Sequence, residues 1–193
     1  MSSPRKKVAI LGATGVAGQQ FLVSLEGHPW FEVTALGASE RSAGKPYRAA
    51  ITEPSGQSRW VCEEALPEQF ASKPVVDAAS LDPKQFDLVF SAVESDAARK
   101  LEERFAPHVP VVSTSSAFRY EDDVPIVVPG VNHDHATLVK RQQRERGWKG
   151  FVVPIPNCTT TGLVVALAPL QRQFGVRSVI MTSMQALSGA GRS

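Results

Sequence analysis

Cysteine is almost missing from this chain, with only Cys62 and Cys158 among 193 residues. The two lie far apart, without metal-type spacing or the density of a disulfide scaffold, and a reduced, cytoplasmic setting is the simplest expectation. His133 and His135 are close in sequence, but no carboxylate or cysteine constellation accompanies them, so no metal is expected. No apolar run is long enough to cross a bilayer. The basic start Met1-Ser-Ser-Pro-Arg-Lys-Lys7 meets only the short Val8 to Gly12 run before Ala-Thr-Gly, which leaves no secretory h-region. An excess of one charge is lacking too. A formal net charge of +2 gives no basis for a nucleic-acid or membrane surface. Hydrophobic content of 42% and charged content of 21% are those of an ordinary globular protein. The length holds one full domain and the beginning of another.

What is present begins with Lys7-Val-Ala-Ile-Leu-Gly-Ala-Thr-Gly-Val-Ala-Gly18. A short apolar strand runs into three glycines, and Gly18, Phe21, Leu22 and Leu25 then follow at helical spacing. Strand, glycine turn and amphipathic helix in that order form the context of a dinucleotide-binding fingerprint rather than a merely structural turn. Gly12 permits the tight turn, Gly15 lets backbone approach a pyrophosphate, and Gly18 lets helix and strand pack closely. The spacing is G-x-x-G-x-x-G, a variant of the commoner form. A second strand, Phe31 to Leu36, ends in Gly37-Ala-Ser-Glu-Arg-Ser-Ala-Gly-Lys45. NAD sites usually carry an acidic residue here to hold the ribose 2′-hydroxyl. Ser39, Arg41, Ser42 and Lys45 suit a 2′-phosphate instead, which favours NADP over NAD; Glu40 argues the other way, and a plain solvated loop is the alternative.

Further along, Trp60-Val-Cys62, Val75-Val-Asp77, Asp87 to Val93, Pro110 to Ser116, Val124 to Val128 and Phe151 to Ile155 are strand candidates. Ser95 is placed to cap a helix that buries Ala98, Leu101 and Phe105 and keeps Arg99, Lys100, Glu102, Glu103 and Arg104 largely on its other faces. Another helix starts at the cap residue Asn132 and runs to Gly147. Alternating strands and helices predict an α/β fold, a Rossmann-like doubly wound parallel sheet over residues 1–155. Residues 156–193 are expected to begin a second, α+β catalytic domain. Arg177 to Leu187 is expected as a long strand without a partner in this sequence, so the chain is expected to be incomplete. Arg119 closes the hydroxyl-rich end Ser113-Thr-Ser-Ser116, where it holds a phosphate or carboxylate or is an ordinary surface arginine.

Val153-Pro-Ile-Pro-Asn-Cys-Thr-Thr-Thr-Gly162 organises the rest. Leu163, Leu167, Leu170 and Phe174 share a helical face that starts straight after the cysteine, with Asn157 as cap, Gly175 as stop and a kink or shortening at Pro169. Cys158 then sits in the first turn, where unpaired N–H groups and the dipole favour a thiolate nucleophile beside donors for an oxyanion. A free cysteine is by default a small buried hydrophobe, yet the polar Asn-Cys-Thr-Thr-Thr surroundings favour an open site.

Gly-Ala-Thr-Gly-Val-Ala-Gly (12–18), Pro-Asn-Cys-Thr-Thr-Thr (156–161) and Met-Gln-Ala-Leu-Ser-Gly-Ala-Gly-Arg-Ser (184–193), in this order, resemble aspartate-semialdehyde dehydrogenase of the fungal and archaeal type. The resemblance covers essentially this whole chain but only the N-terminal half of a family member. It implies Cys158 as acyl-forming nucleophile, Gln185 as a residue orienting the acyl intermediate, Asn157 beside the reacting carbonyl and Arg119 on phosphate. It implies that Gly12, Thr14, Gly15 and Val16 touch NADP, with Ser39, Arg41 and Ser42 on its 2′-phosphate. The implied reaction is reductive dephosphorylation of 4-phospho-L-aspartate to the semialdehyde, with small-molecule acyl-phosphate, aldehyde and phosphate as partners and a homo-oligomer for the full-length member. The family's histidine base matches none of His28, His108, His133 or His135, so little dehydrogenase activity is expected of this chain alone. N-acetylglutamyl-phosphate reductase, with a glycine where Asn157 stands, fits less well. A CoA-dependent malonyl reductase and a non-catalytic NADP-binding module are the alternatives.

Overall fold

The computed structural model describes residues 4–185. Its centre is a parallel sheet built from β1 (Lys6–Leu11), β2 (Phe31–Ala38), β3 (Val75–Asp77), β4 (Leu88–Ser91), β5 (Pro110–Ser113) and β6 (Phe151–Pro154), in the order β3-β2-β1-β4-β5-β6. The helices are α1 (Val16–Ser24), α2 (Tyr47–Ala50), α3 (Glu68–Ala71), α4 (Ser95–Phe105), α5 (Leu138–Arg146) and α6 (Cys158–Phe174). The chain winds outward from β1 in one direction, returns to its other side at β4, and winds out again. That reversal puts a crevice between the carboxyl ends of β1 and β4.

Each strand has period two, so β1 feeds two cores. Val8 and Ile10 join Leu22, Leu36, Tyr47 and Phe70 under α1, whereas Ala9 and Leu11 join Val89, Phe105, Val111 and Val152 under α4. Burial on both faces explains the near-continuous apolar runs of the sequence. The edge strand β6 gains a side-chain neighbour. Buried Gln142 of α5 accepts from Val152 N at 2.7 Å and donates to Val152 O at 3.1 Å, as a further strand would. Among the described residues no helix is long and apolar enough to cross a membrane.

Several expected elements differ. Arg177–Gln185 is irregular rather than a strand, because a strand needs a ladder neighbour and this segment pairs with none of the six; residues 186 and 187 lie outside the described residues, as does the glycine-rich sequence Ser188–Ser193. Trp60–Cys62 and Val124–Val128 are irregular for the same reason, although Val124 and Val128 are buried. The helix expected from Asn132 opens as a 3-10 turn, His133–Thr137, and becomes α5 only at Leu138. Asn132 does not cap it; its side chain accepts from Val128 N at 2.7 Å and donates to Ile126 O at 2.9 Å. Ser95 is the first residue of α4 rather than its cap, and its hydroxyl is taken by Ser116 at 2.7 Å. Pro169 does not shorten α6, which continues to Phe174. Only the bond from position 169 to the Val165 carbonyl is forfeited, and exposed Val165 leaves that carbonyl to water.

Glu102 is the sharpest difference. It is buried, not on an outer face of α4, and its Oε1 accepts from Ser91 at 2.7 Å and Ser113 at 2.6 Å. Its Oε2 has no partner among the described residues. Burial pushes the carboxyl above the usual glutamate range, against the opposing pull of the two serines. A raised folded pKa favours the neutral acid. That contribution is therefore complete below the unfolded value of about 4.3 and is lost as pH rises through the folded value. Glu102→Gln keeps the acceptor oxygen and stays neutral, so it should gain stability relative to wild type between pH 4 and 8. Urea midpoints of both proteins across that range check this; a difference that stays constant with pH would refute it.

Candidate functional site

The loops after β1, β2, β4, β5 and β6 all open at the carboxyl edge of the sheet, since the strands are parallel. The first is the glycine turn. Gly12 has φ +77°, and both Gly12 N and Ala13 N donate to Gly37 O at 2.9 Å, which pins the turn to β2. A Cβ on Gly18 would lie 2.2 Å from Gly12 O and 2.7 Å from Ala13 Cα, so α1 rests directly on the turn. Outside, the turn is open. Gly15 and Val16 are exposed, and Thr14 N–H has no acceptor among the described residues. With the unpaired N–H groups of the first turn of α1, this makes a cradle for an anion.

Two buried side chains brace the turn from below. Tyr47 donates from its hydroxyl to Ala13 O at 2.7 Å, and Gln19 Nε2 donates to Thr14 O at 3.2 Å. Gln19 also bonds Arg59 O at 3.0 Å and accepts from Val61 N at 2.8 Å. Sequence reasoning missed both. Gln19 directly follows Gly18 on the buried side of α1, which was the available signal; Tyr47 offered none.

After β2, Ser39 and Arg41 are exposed and Ser42 is half-buried around a 3-10 turn, Glu40–Ser42. Among the described residues no carboxylate pairs with Arg41, so an exposed cation and an exposed serine follow β2, the strand that pairs with β1.

After β5, Arg119 ties two strand ends together. Its Nε donates to Ile155 O at 3.0 Å and its Nη2 to Thr114 O at 2.9 Å, with no carboxylate partner among the described residues. The loop carrying it is fixed from behind. Phe118 is buried under Arg99, whose guanidinium lies 4.6 Å from the ring centroid and donates to Glu121 at 2.7 Å. Arg146 holds Asp123 through two bonds, one of 2.6 Å, and this keeps the Asp123 carboxyl below the usual carboxylate range.

After β6, Pro156 ends the strand direction and Asn157 caps α6. Asn157 Oδ1 accepts from Thr159 N at 3.0 Å and Thr160 N at 3.4 Å. Cys158 is the first residue of the helix and is exposed, not packed as a core hydrophobe. Gln185 donates from Nε2 towards Cys158 Sγ at 3.6 Å. The cap takes the Thr159 and Thr160 N–H groups, and the side-chain donor beside the sulfur is the Gln185 amide. The glycine turn after β1 and the sulfur after β6 stand three strand spacings apart, about 14 Å.

The family model for the semialdehyde dehydrogenase NAD-binding domain matches residues 7–139. The chain is 45% identical over 190 residues to an aspartate-semialdehyde dehydrogenase of Archaeoglobus fulgidus, covering 97% of this chain and 52% of that protein. It is 43% identical over 184 residues to one of Methanothermobacter thermautotrophicus, covering 95% of this chain and 51% of that protein. A malonyl-CoA reductase (NADP) of Metallosphaera sedula is 38% identical over 96% of this chain and 50% of its own length. The chain thus spans about half the length of the curated relatives it matches. Among solved structures, aspartate semialdehyde dehydrogenase with NADP from Candida albicans superposes with a TM-score of 0.76 at 40% identity, over 90% of this chain and 48% of that one.

Proposed function

The chain belongs to the semialdehyde dehydrogenase family by its NAD-binding domain, and we propose that it carries the cofactor and nucleophile sites for NADP-dependent reduction of 4-phospho-L-aspartate to L-aspartate 4-semialdehyde. The observation that carries this reading is the exposed Cys158 at the start of α6, on the same sheet edge as an anion-ready glycine turn. Gly12, Thr14, Gly15 and Val16 would hold the pyrophosphate, with Ser39, Arg41 and Ser42 on the 2′-phosphate. NADPH, when bound, supplies the hydride that reduces the acyl carbon.

The chain's own residues do the rest. Cys158 sulfur attacks the acyl-phosphate carbonyl, forming an S–C bond as the C–O bond to phosphate breaks and the phosphate leaves with the electron pair. Cys158 N–H and Asn157 Nδ2 stabilise the oxyanion, Arg119 balances the phosphate charge, and the Gln185 amide orients the acyl group. After reduction the S–C bond breaks and the sulfur is returned. We assign residues 156–193 to the catalytic unit, because α6 buries none of its residues against the sheet.

The test is acylation by the reverse reaction. Incubating the chain with aspartate semialdehyde and NADP should leave one acyl group on Cys158 by mass spectrometry, even where steady-state turnover is low. Phosphate should release it faster than CoA. Faster release by CoA would transfer the assignment to the malonyl-reductase relative, and no adduct at all would leave only a nucleotide-binding module.

A further inference from the structure

Resting on that cofactor reading, we propose that Tyr47 and Gln19 are positioning residues that preset the glycine turn for the cofactor's pyrophosphate by holding the Ala13 and Thr14 carbonyls inward. A trans peptide points its C=O and N–H in opposite directions. Drawing Ala13 O down to the Tyr47 hydroxyl therefore turns Thr14 N–H outward, and that N–H has no acceptor among the described residues. Drawing Thr14 O down to Gln19 fixes the next peptide, whose N–H closes the turn on Gly12 O at 3.0 Å. Successive carbonyls are thus held by side chains from two different helices. The open donors of α1 follow directly.

The Tyr47 bond is not needed for packing. Tyr47 lies fully buried among Val8, Ile10, Leu36, Ile51 and Phe70, a space that a phenylalanine ring would fill as well. Among the described residues its hydroxyl makes one hydrogen bond, to the turn. Burial, then the nearby Cys62, push the phenol above its ordinary range, so it remains a donor through neutral pH. Gln19 also grips Arg59 O and Val61 N, so the irregular segment 59–61 is locked to the same turn. A preset turn spares the cofactor the cost of ordering it on binding.

Tyr47→Phe and Gln19→Met in the 193-residue chain, titrated with NADP and separately with adenosine 2′-phosphate, test this. The fragment reaches the Ser39–Ser42 loop but has no pyrophosphate. Tyr47→Phe should weaken NADP about tenfold, the scale of one buried hydrogen bond, while the fragment's affinity stays within about twofold. Gln19→Met should show the same split. Unchanged NADP affinity in Tyr47→Phe, or a parallel loss for both ligands, overturns the inference while the cofactor reading stands. A wild-type chain that binds neither ligand overturns both.

Discussion

Replacing Cys158 with serine should abolish acylation by aspartate semialdehyde, slowing it by on the order of 10⁵-fold or more, the scale on which enzymes lose rate when a covalent nucleophile is removed. Serine is nearly isosteric and keeps the capping geometry, since the cap is made by Asn157 Oδ1 on Thr159 N and Thr160 N and not by the residue between. What is lost is the proposed nucleophile. An unactivated hydroxyl is far weaker than a thiol, and the neutral Gln185 amide at 3.6 Å from Cys158 Sγ donates and cannot take the hydroxyl proton through its nitrogen. NADP affinity should stay within about twofold, because the glycine turn belongs to β1, three strands away. Mass spectrometry of the adduct and titration of the cofactor on the same sample separate the two effects. Residual acylation at the wild-type rate would mean that another side chain carries the acyl group, and Cys62 would be the first to replace.

Elements whose cause is local could be read directly from the sequence. The glycine turn depends on residues within a few positions of one another, and so does the Asn157 cap on α6. The strands could be read because both faces of the sheet are covered, so that Val8 and Ile10 alternate with Ala9 and Leu11 without a polar position between them. Reading failed where the cause is distant. Apolar stretches at Trp60–Cys62, Val124–Val128 and Arg177–Gln185 carry strand-forming residues, but no backbone among the described residues completes a ladder for them. Glu102 belongs by pattern to a charged helix face. Two serines from β4 and β5, each eleven residues away, make its burial tolerable. Gln142 and Gln19 are polar residues whose partners lie 10 and 42 positions off, and Tyr47 finds Ala13 across 34. The apolar stripe of α6 was legible, yet none of its residues is buried among those described, since a stripe states a capacity for packing and not what packs. Around Cys158, the sequence located the helix start and its Asn157 cap, with the cysteine exposed. It did not show that the cap uses two of the N–H groups a helix start offers, those of Thr159 and Thr160.

Gly18→Ala should cost the fold and the cofactor site together. The added methyl would stand 2.2 Å from Gly12 O, 2.7 Å from Ala13 Cα and 2.9 Å from Ala13 C, all backbone atoms that no rotamer change can clear. Either α1 lifts from the turn, opening the packing of Leu22 against β1, or the turn gives way and loses its bonds to Gly37 O. Overpacking of this kind costs about 1–3 kcal/mol, and NADP binding should fall below detection because the donors of α1 move with the helix. Gly15→Ala is the necessary contrast. Its φ is −80° and its new methyl meets only Gly12 O at 3.4 Å, so the fold should keep its melting temperature. The methyl would still occupy the open side of the turn, where the pyrophosphate is proposed to approach, and NADP should bind at least tenfold more weakly, a loss of about 1.4 kcal/mol. Thermal melts and titrations of the two variants therefore divide the roles of the glycines: one position is required because the protein itself fills the space, the other because a ligand must. A Gly18→Ala protein that melts with wild type would show that α1 yields without loss, and the close packing of helix on turn would then not be what holds the cradle in shape.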